Sequence, residues 1–242
     1  MSSKRLFVPQ AIRAGRDLWL DGERAHYLSR VLRVRPGTGL VLFDGSGGEY
    51  DATVSEVSRR GVRLVPGAFR AREAESPLDL RLIQGVSRGE RMDVVVQKAT
   101  ELGVRRISPV ITAYSVVRLD AGKGARKAEH WLKVAQGACE QCGRNEVPDI
   151  DVPVDLRSVL GETRNGVALL LSPRAGSSFQ DLERPRAGLS LLVGPEGGLN
   201  DAEHEAAVTA GFRPITAGPR ILRTETAALA ALAILQARFG DM

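Results

Sequence analysis

Leu191-Leu192-Val193-Gly194-Pro195-Glu196-Gly197-Gly198-Leu199 is the stretch on which the reading of this chain turns. An apolar run suited to a buried strand ends in a loop of three glycines, a proline and a carboxylate. Asn200 follows as an N-cap, and Glu203 stands three residues on, where a capping-box partner belongs. Strand, glycine loop and helix start in succession build a ligand floor at the carboxyl ends of the strands of an open α/β sheet. The carboxylate between the glycines argues against a phosphate in that loop.

Around this stretch, from Leu78 onward, strands alternate with helices, which implies a parallel sheet. Strands are expected at Leu80–Ile83, Ile107–Ile111, Val167–Leu171, Leu189–Val193 and Pro214–Thr216, with Pro109 favouring an edge or a strand end for the second. A helix is expected from about Arg91 to Leu102 with Val94, Val95, Ala99 and Leu102 inward. Gly122 to Lys127 reads as a basic loop before a helix from about Ala128 to Cys142. The closing helix, about Thr224 to Phe239, is apolar around most of its circumference, so it should lie deep against the sheet or a second copy of the chain.

Residues 1–72 read differently, as a small, partly open β-barrel with one helix from about Glu23 to Leu32. Its hairpin turns at Asp44-Gly45-Ser46-Gly47-Gly48, and a charged, proline-terminated linker over residues 70–77 leads into a second domain, 73–242. The net charge of +5 is unevenly spread. Residues 1–72 hold 13 Lys and Arg against 7 Asp and Glu, whereas the remainder holds 21 against 22. A basic module beside a neutral one points to a polyanion, with a solvated basic face as the plainer reading.

Several classes are disfavoured. No run approaches the roughly 20 apolar residues of a membrane span, and Met1 to Leu6 lacks the apolar core of a secretory signal, so a cytoplasmic protein is expected. Cys139 and Cys142 lack a second cysteine pair with which to hold zinc, and they read as structural thiols at a helix end. A phosphate-binding P-loop, a dinucleotide fingerprint and a nucleophile elbow are all missing. What remains is the set of loops after three strands: Ser172-Pro173-Arg174, Gly194 to Leu199, and Gly218-Pro219-Arg220-Ile221-Leu222-Arg223-Thr224. In a parallel sheet such loops gather at one edge, and Glu196 there suits a cationic or hydroxyl-rich ligand, with which S-adenosylmethionine is compatible.

Five motifs occur in order: Ser87-Arg88-Gly89-Glu90-Arg91-Met92, Gln97 to Val104, Cys139-Glu140-Gln141-Cys142-Gly143-Arg144-Asn145, Gly194 to Leu199, and Gly218 to Ala227. With Leu42-Phe43-Asp44-Gly45 they make the whole chain resemble the RsmE family, which methylates N3 of a uridine, uridine 1498, in 16S ribosomal RNA. The resemblance implies a SPOUT-type C-terminal domain with a deep trefoil knot, a PUA-like N-terminal β-barrel domain, a homodimer and bound S-adenosylmethionine. It further implies that Leu171, Gly194, Pro195, Glu196, Gly197, Gly198, Leu199, Ile221, Leu222 and Thr226 hold the cofactor. No metal and no membrane enter this picture; the partner is 16S ribosomal RNA or the assembled small subunit.

Methylation at N3 requires positioning, loss of the N3 proton and stabilisation of the resulting anion. Arg223, at the start of the last helix, is the expected anion stabiliser, and Glu196 or Glu225 the expected proton acceptor. Arg5, Arg24, Arg30, Arg33, Arg35, Arg88, Arg91 and Arg144 are the expected RNA contacts. The alternatives are another SPOUT RNA methyltransferase, such as a tRNA 2′-O-methyltransferase, and a non-catalytic RNA-binding assembly factor.

Overall fold

The computed structural model describes residues 4–115, 121–162 and 166–242. The chain forms two compact units: Met1–Glu75 with Cys139–Val147, and Ser76–Ala138 with Pro148–Met242.

The first unit is a five-stranded sheet. Its elements are β1 (Arg5–Phe7), β2 (Leu18–Leu20), α1 (Gly22–His26), β3 (Gly39–Phe43), β4 (Glu49–Val57) and β5 (Val62–Arg70), in strand order β1-β3-β4-β5-β2. β1 runs parallel to β3 and the other pairs are antiparallel. β4 shows why a sheet forms here. Ala52 and Val54 face the core while Asp51, Thr53 and Ser55 face water, the period of two that one buried face demands. The core gathers Leu6, Leu28, Leu42, Val54 and Leu64. β5 runs on through Pro66-Gly67 because the register against β4 shifts beside Ala52 and Pro66, and a bulge tolerates proline. The expected single helix is α1 followed by a π-helical stretch, Tyr27–Val31.

The segment after Cys139 belongs to this unit through buried polar contacts. Arg144 Nε donates to Glu75 Oε2 at 2.7 Å, and the backbone N–H groups of Asn145 and Glu146 donate to Glu75 Oε1. Arg5 pairs with the buried carboxylate of Glu49 and donates to Asn145 Oδ1 at 2.7 Å.

The second unit contains β6 (Leu80–Gly85), α2 (Arg91–Glu101), β7 (Arg106–Ile111), most of α3 (Ala121–Cys142), β8 (Asp149–Ile150), β9 (Val154–Asp155) and α4 (Leu156–Leu160). β10 (Val167–Leu171), β11 (Leu189–Val193), α5 (Asp201–Thr209), β12 (Arg213–Ile215) and α6 (Thr224–Phe239) complete it. The sheet order is β12-β10-β11-β6-β7-β8, with β9 also pairing with β7, and every pair is parallel. Leu82, Ile83, Leu169, Leu191 and Leu192 are fully buried, as central strands covered on both faces should be.

Three local expectations change. Pro109 lies inside β7, at the gap between the partners of β8 (Arg106, Ile107) and those of β9 (Val110, Ile111), so the interruption falls on the neighbours and not on β7. α3 begins at Ala121, seven residues before the expected start, because Gly124 takes the first place of a buried stripe that continues through Ala128, Trp131, Ala135 and Ala138. A Cβ at Gly124 would stand 3.5 Å from Val152 Cγ1, an ordinary contact distance, so the glycine is buried beside Val152 without ending the helix. In α2, Val94 faces outward, and Met92, Val95, Val96 and Ala99 form the inward face.

α6 packs on α2 and buries Ala228, Ala231, Leu232, Leu235 and Phe239. Its buried Gln236 accepts from Ser76 Oγ and donates to the Leu102 carbonyl, both at 2.7 Å. Leu229, Ala230, Ala233 and Ile234 on the other side stay half-buried.

Candidate functional site

The carboxyl ends of β10, β11 and β12 open into one cleft of about 570 Å³. It is built by Leu171 to Pro173, Val193 to Gly198, Thr216 to Gly218 and Arg220 to Glu225, with Arg91 and Ala227. The three loops singled out by their composition therefore share one cavity. A parallel sheet forces this, since every strand delivers its following loop to the same edge.

The glycine loop is held on all sides. Gly198 N–H donates to the Pro195 carbonyl at 2.9 Å and closes the turn, with Gly198 at φ +72°, the left-handed region that suits glycine. A Cβ on Gly85 would collide with the Pro195 ring nitrogen, so β6 passes directly beneath the loop. The capping box at the start of α5 is formed: Glu203 N–H donates to Asn200 Oδ1 at 2.8 Å, and Asn200 N–H donates to Glu203 Oε2 at 3.0 Å. Beneath the loop, Thr224 Oγ donates to the Gly194 carbonyl at 2.6 Å and accepts from Gln84 Nε2 at 3.0 Å. That buried trio ties the end of β6, the glycine loop and the first turn of α6 together.

Glu196 accepts from the Arg88 backbone N–H at 3.0 Å and from an Arg91 guanidinium nitrogen at 2.7 Å. Partial burial pushes its carboxyl upward. The Arg88 amide, its own backbone N–H and Arg91 outweigh that effect and hold it below the ordinary carboxylate range. It is thus an ion-paired anchor for the 88–91 turn and a weak base. Glu225 is the contrasting carboxylate: it lines the cleft, and its Oε2 is buried without a hydrogen-bond partner. Arg223, exposed at the N-cap of α6, lines the same cleft.

Of the ten residues expected to hold the cofactor, Leu171, Gly194, Pro195, Glu196, Gly197, Gly198, Ile221 and Leu222 line the cleft. Leu199 instead packs against the apolar cluster around Phe212, and Thr226 is exposed on α6 outside the lining. The lining residues not anticipated one by one, among them Ser172, Thr216 and Arg220, lie in or beside loops whose composition already marked them. Thr224 closes one of those loops, whereas Gln84, which it meets, carried no such mark.

The arginines expected at RNA divide sharply. Arg5 and Arg144 are corrections: their side chains are 9% and 3% exposed and are consumed by Glu49 and Glu75. Arg24 donates to the Phe7 carbonyl and lies over the Phe7 ring, and burial lowers its pKa. Arg30, Arg33 and Arg35 are exposed, and Arg33 is the one non-glycine residue with positive φ among the described residues. Arg88 and Arg91 are exposed, and Arg91 lines the cleft. Among the described residues no cluster of potential metal ligands exists, and no helix is long and apolar enough to cross a membrane.

Comparison with known proteins gives this geometry a family. Residues 74–236 match the RNA methyltransferase domain model, and residues 20–66 match the RNA methyltransferase PUA domain model. The ribosomal RNA small subunit methyltransferase E of Buchnera aphidicola is 31% identical, over 98% of this chain and 97% of its own. The Neisseria gonorrhoeae protein of the same name, solved bound to S-adenosylmethionine, superposes with a TM-score of 0.92 at 35% identity, over the whole of both chains. A Legionella pneumophila methyltransferase solved with the same cofactor gives 0.96 at 39% identity, again over the whole of both. With a parallel α/β domain, a PUA-type module and relatives matched from end to end, the chain belongs to the ribosomal RNA small subunit methyltransferase E family.

Proposed function

We propose that this chain transfers the methyl group of S-adenosylmethionine to N3 of an unpaired uridine in 16S ribosomal RNA, at the position equivalent to uridine 1498. The observation that carries this reading is Glu225. In a family of ribosomal RNA methyltransferases, Glu225 lines the cleft of the glycine loop together with Arg223, and its Oε2 is buried with no hydrogen-bond partner. The cleft fits the cofactor on this structure's own terms, because open glycine backbone and an orphaned acceptor suit a ligand rich in hydroxyl and amino donors. Bound there, S-adenosylmethionine supplies an electrophilic methyl on a sulfonium sulfur.

The chain's residues then divide the work. Gly194, Gly197, Gly198, Leu171, Ile221 and Leu222 hold the cofactor, largely through backbone groups and apolar contact. Arg223 and the N-terminal end of α6 stabilise negative charge on the uracil. Glu225 accepts the N3 proton as the N–CH₃ bond forms and the S–CH₃ bond breaks. Glu196 keeps Arg88 and Arg91 in place. The target base has to leave any pairing before N3 is reachable, which favours a single-stranded site in RNA.

The half-buried apolar side of α6 supports a homodimer. A trefoil knot threaded by the loops of the cleft and a cytoplasmic location complete the reading, together with an RNA-facing first domain over residues 1–72. Calorimetric titration with S-adenosylmethionine, combined with nucleoside mapping of 16S RNA from a strain lacking the chain, tests it. One site per chain, and an N3-methyluridine that vanishes and returns on complementation, are expected. An unchanged RNA in the deletion strain contradicts the proposal.

A further inference from the structure

Tyr114 is 52% exposed in the turn that follows β7. The turn is rigidly held: Thr112 N–H donates to Ser115 Oγ at 3.0 Å, Ser115 N–H donates to the Thr112 carbonyl at 3.0 Å, and Ala113 N–H donates to Glu203 Oε1 at 2.7 Å. The last of these ties the turn to the carboxylate that also caps α5, so the turn and the glycine loop are fixed to the same helix start. Tyr114 lies directly on the loop. A Cβ on Gly197 would stand 2.8 Å from Tyr114 Cβ and 3.2 Å from its Cγ, so only glycine at 197 lets the aromatic side chain settle there.

The contact of Tyr114 with Gly197 engages the Cβ end of the side chain, yet the residue stays half exposed on a braced turn beside the glycine loop. Gly197 and Arg91 line the cleft, and Glu196 next to Gly197 accepts from the Arg91 guanidinium and from the backbone N–H of the exposed Arg88. An aromatic face beside arginines is how proteins grip single-stranded nucleic acid, with the base stacked on the ring and the phosphate on the guanidinium. Tyr114 itself stands outside the cleft lining, so the base it meets is not the one being methylated.

We infer that Tyr114 is the stacking platform for an unpaired base flanking the target uridine, with Arg88 and Arg91 on the adjoining phosphates. This assigns a substrate-positioning residue and rests on the methyltransferase reading above.

The experiment uses the intact chain and small-subunit RNA in which the nucleotide on either side of the target is made abasic in turn. For the wild type, one of the two abasic sites lowers kcat/KM by about 5- to 150-fold, the range of one base–aromatic stack. Tyr114→Ala lowers kcat/KM on intact RNA by a similar factor, through KM for RNA, and suffers no further loss on that abasic RNA. Tyr114→Phe keeps wild-type behaviour, and affinity for S-adenosylmethionine is the same in all three proteins. Additive losses, or a Tyr114→Ala protein that loses cofactor affinity instead of RNA affinity, overturn the assignment and leave Tyr114 as packing for the glycine loop. Absence of transfer by the wild type on intact RNA overturns the parent reading, and this one with it.

Discussion

Replacing Thr224 by valine removes one hydroxyl and little of the side chain's shape. That hydroxyl is buried, donates to the Gly194 carbonyl at 2.6 Å and accepts from Gln84 Nε2 at 3.0 Å. In the variant the carbonyl keeps only a long approach from Gln84 Nε2, at 3.5 Å, while Gln84 retains its bond to the Gly85 carbonyl. Leaving one buried acceptor nearly unsatisfied costs about 1–3 kcal/mol. For a unit of this size each kcal/mol moves Tm by about 2–4 °C, so Thr224→Val should melt about 2–12 °C below the wild type. Thr224→Ser keeps the hydroxyl and should retain most of the stability. Because Gly194 opens the glycine loop, cofactor affinity should fall with valine and survive with serine. Thermal melts followed by circular dichroism and calorimetric titration read both effects. A valine variant as stable as the wild type, or serine and valine variants equally damaged, would refute the claim that this hydrogen bond shapes the cleft.

Other consequences follow from charge and burial. Neutralising Arg30, Arg33 and Arg35 together should weaken RNA binding and flatten the plot of log affinity against log salt by about 0.7 per lost phosphate contact; an unchanged slope removes these residues from the RNA surface. Glu140 is pushed above the ordinary carboxylate range by burial, an effect that the Phe7 N–H and nearby arginines offset only in part. The folded state therefore holds its proton more tightly than the unfolded state, and stability is lost as pH rises from the unfolded pKa through the folded one. Glu140→Gln should accordingly gain stability at neutral pH and lose that advantage in acid, as pH-dependent denaturant titrations would record. Burial pushes the Cys139 thiol up to about 12. A thiol reagent should thus modify the half-buried Cys142 in the native protein and reach Cys139 only on unfolding.

Much of the site was legible because local chemistry and sheet topology agree. Asn200 and Glu203 announce a capping box from their spacing alone, and the box is present. The apolar runs at 167–171 and 189–193 are central parallel strands, and the boundaries of the last helix fall at Thr224 and Phe239 as its composition implied. Other features depend on partners far away in sequence. Gln84 and Thr224 meet across 140 residues, and neither carries a local sign of it. Arg5 and Arg144 look like any surface arginine until Glu49 and Glu75 are brought against them, so sequence alone does not separate them from RNA-contacting arginines, although both are consumed inside the first unit. Gly122 and Gly124 suggested a loop, yet Gly124 occupies a helical contact with Val152 that only the folded chain reveals. Val94 shows the limit of periodicity, since Met92 and Val96 fit an inward face equally well and take it.

The central claim is that this cleft methylates the N3 position of a uridine in small-subunit RNA, and the identity of the product nucleoside tests it most directly. Purified chain is incubated with methyl-labelled S-adenosylmethionine and small-subunit RNA, either free or assembled, from a strain lacking the modification. The digest is then separated against 3-methyluridine, 5-methyluridine and 2′-O-methyluridine. The account predicts that the label appears in 3-methyluridine alone, at a single position, and disappears when the target uridine is replaced by cytidine, which has no N3 proton. Label in 2′-O-methyluridine, or none in the RNA while the cofactor binds, would contradict it.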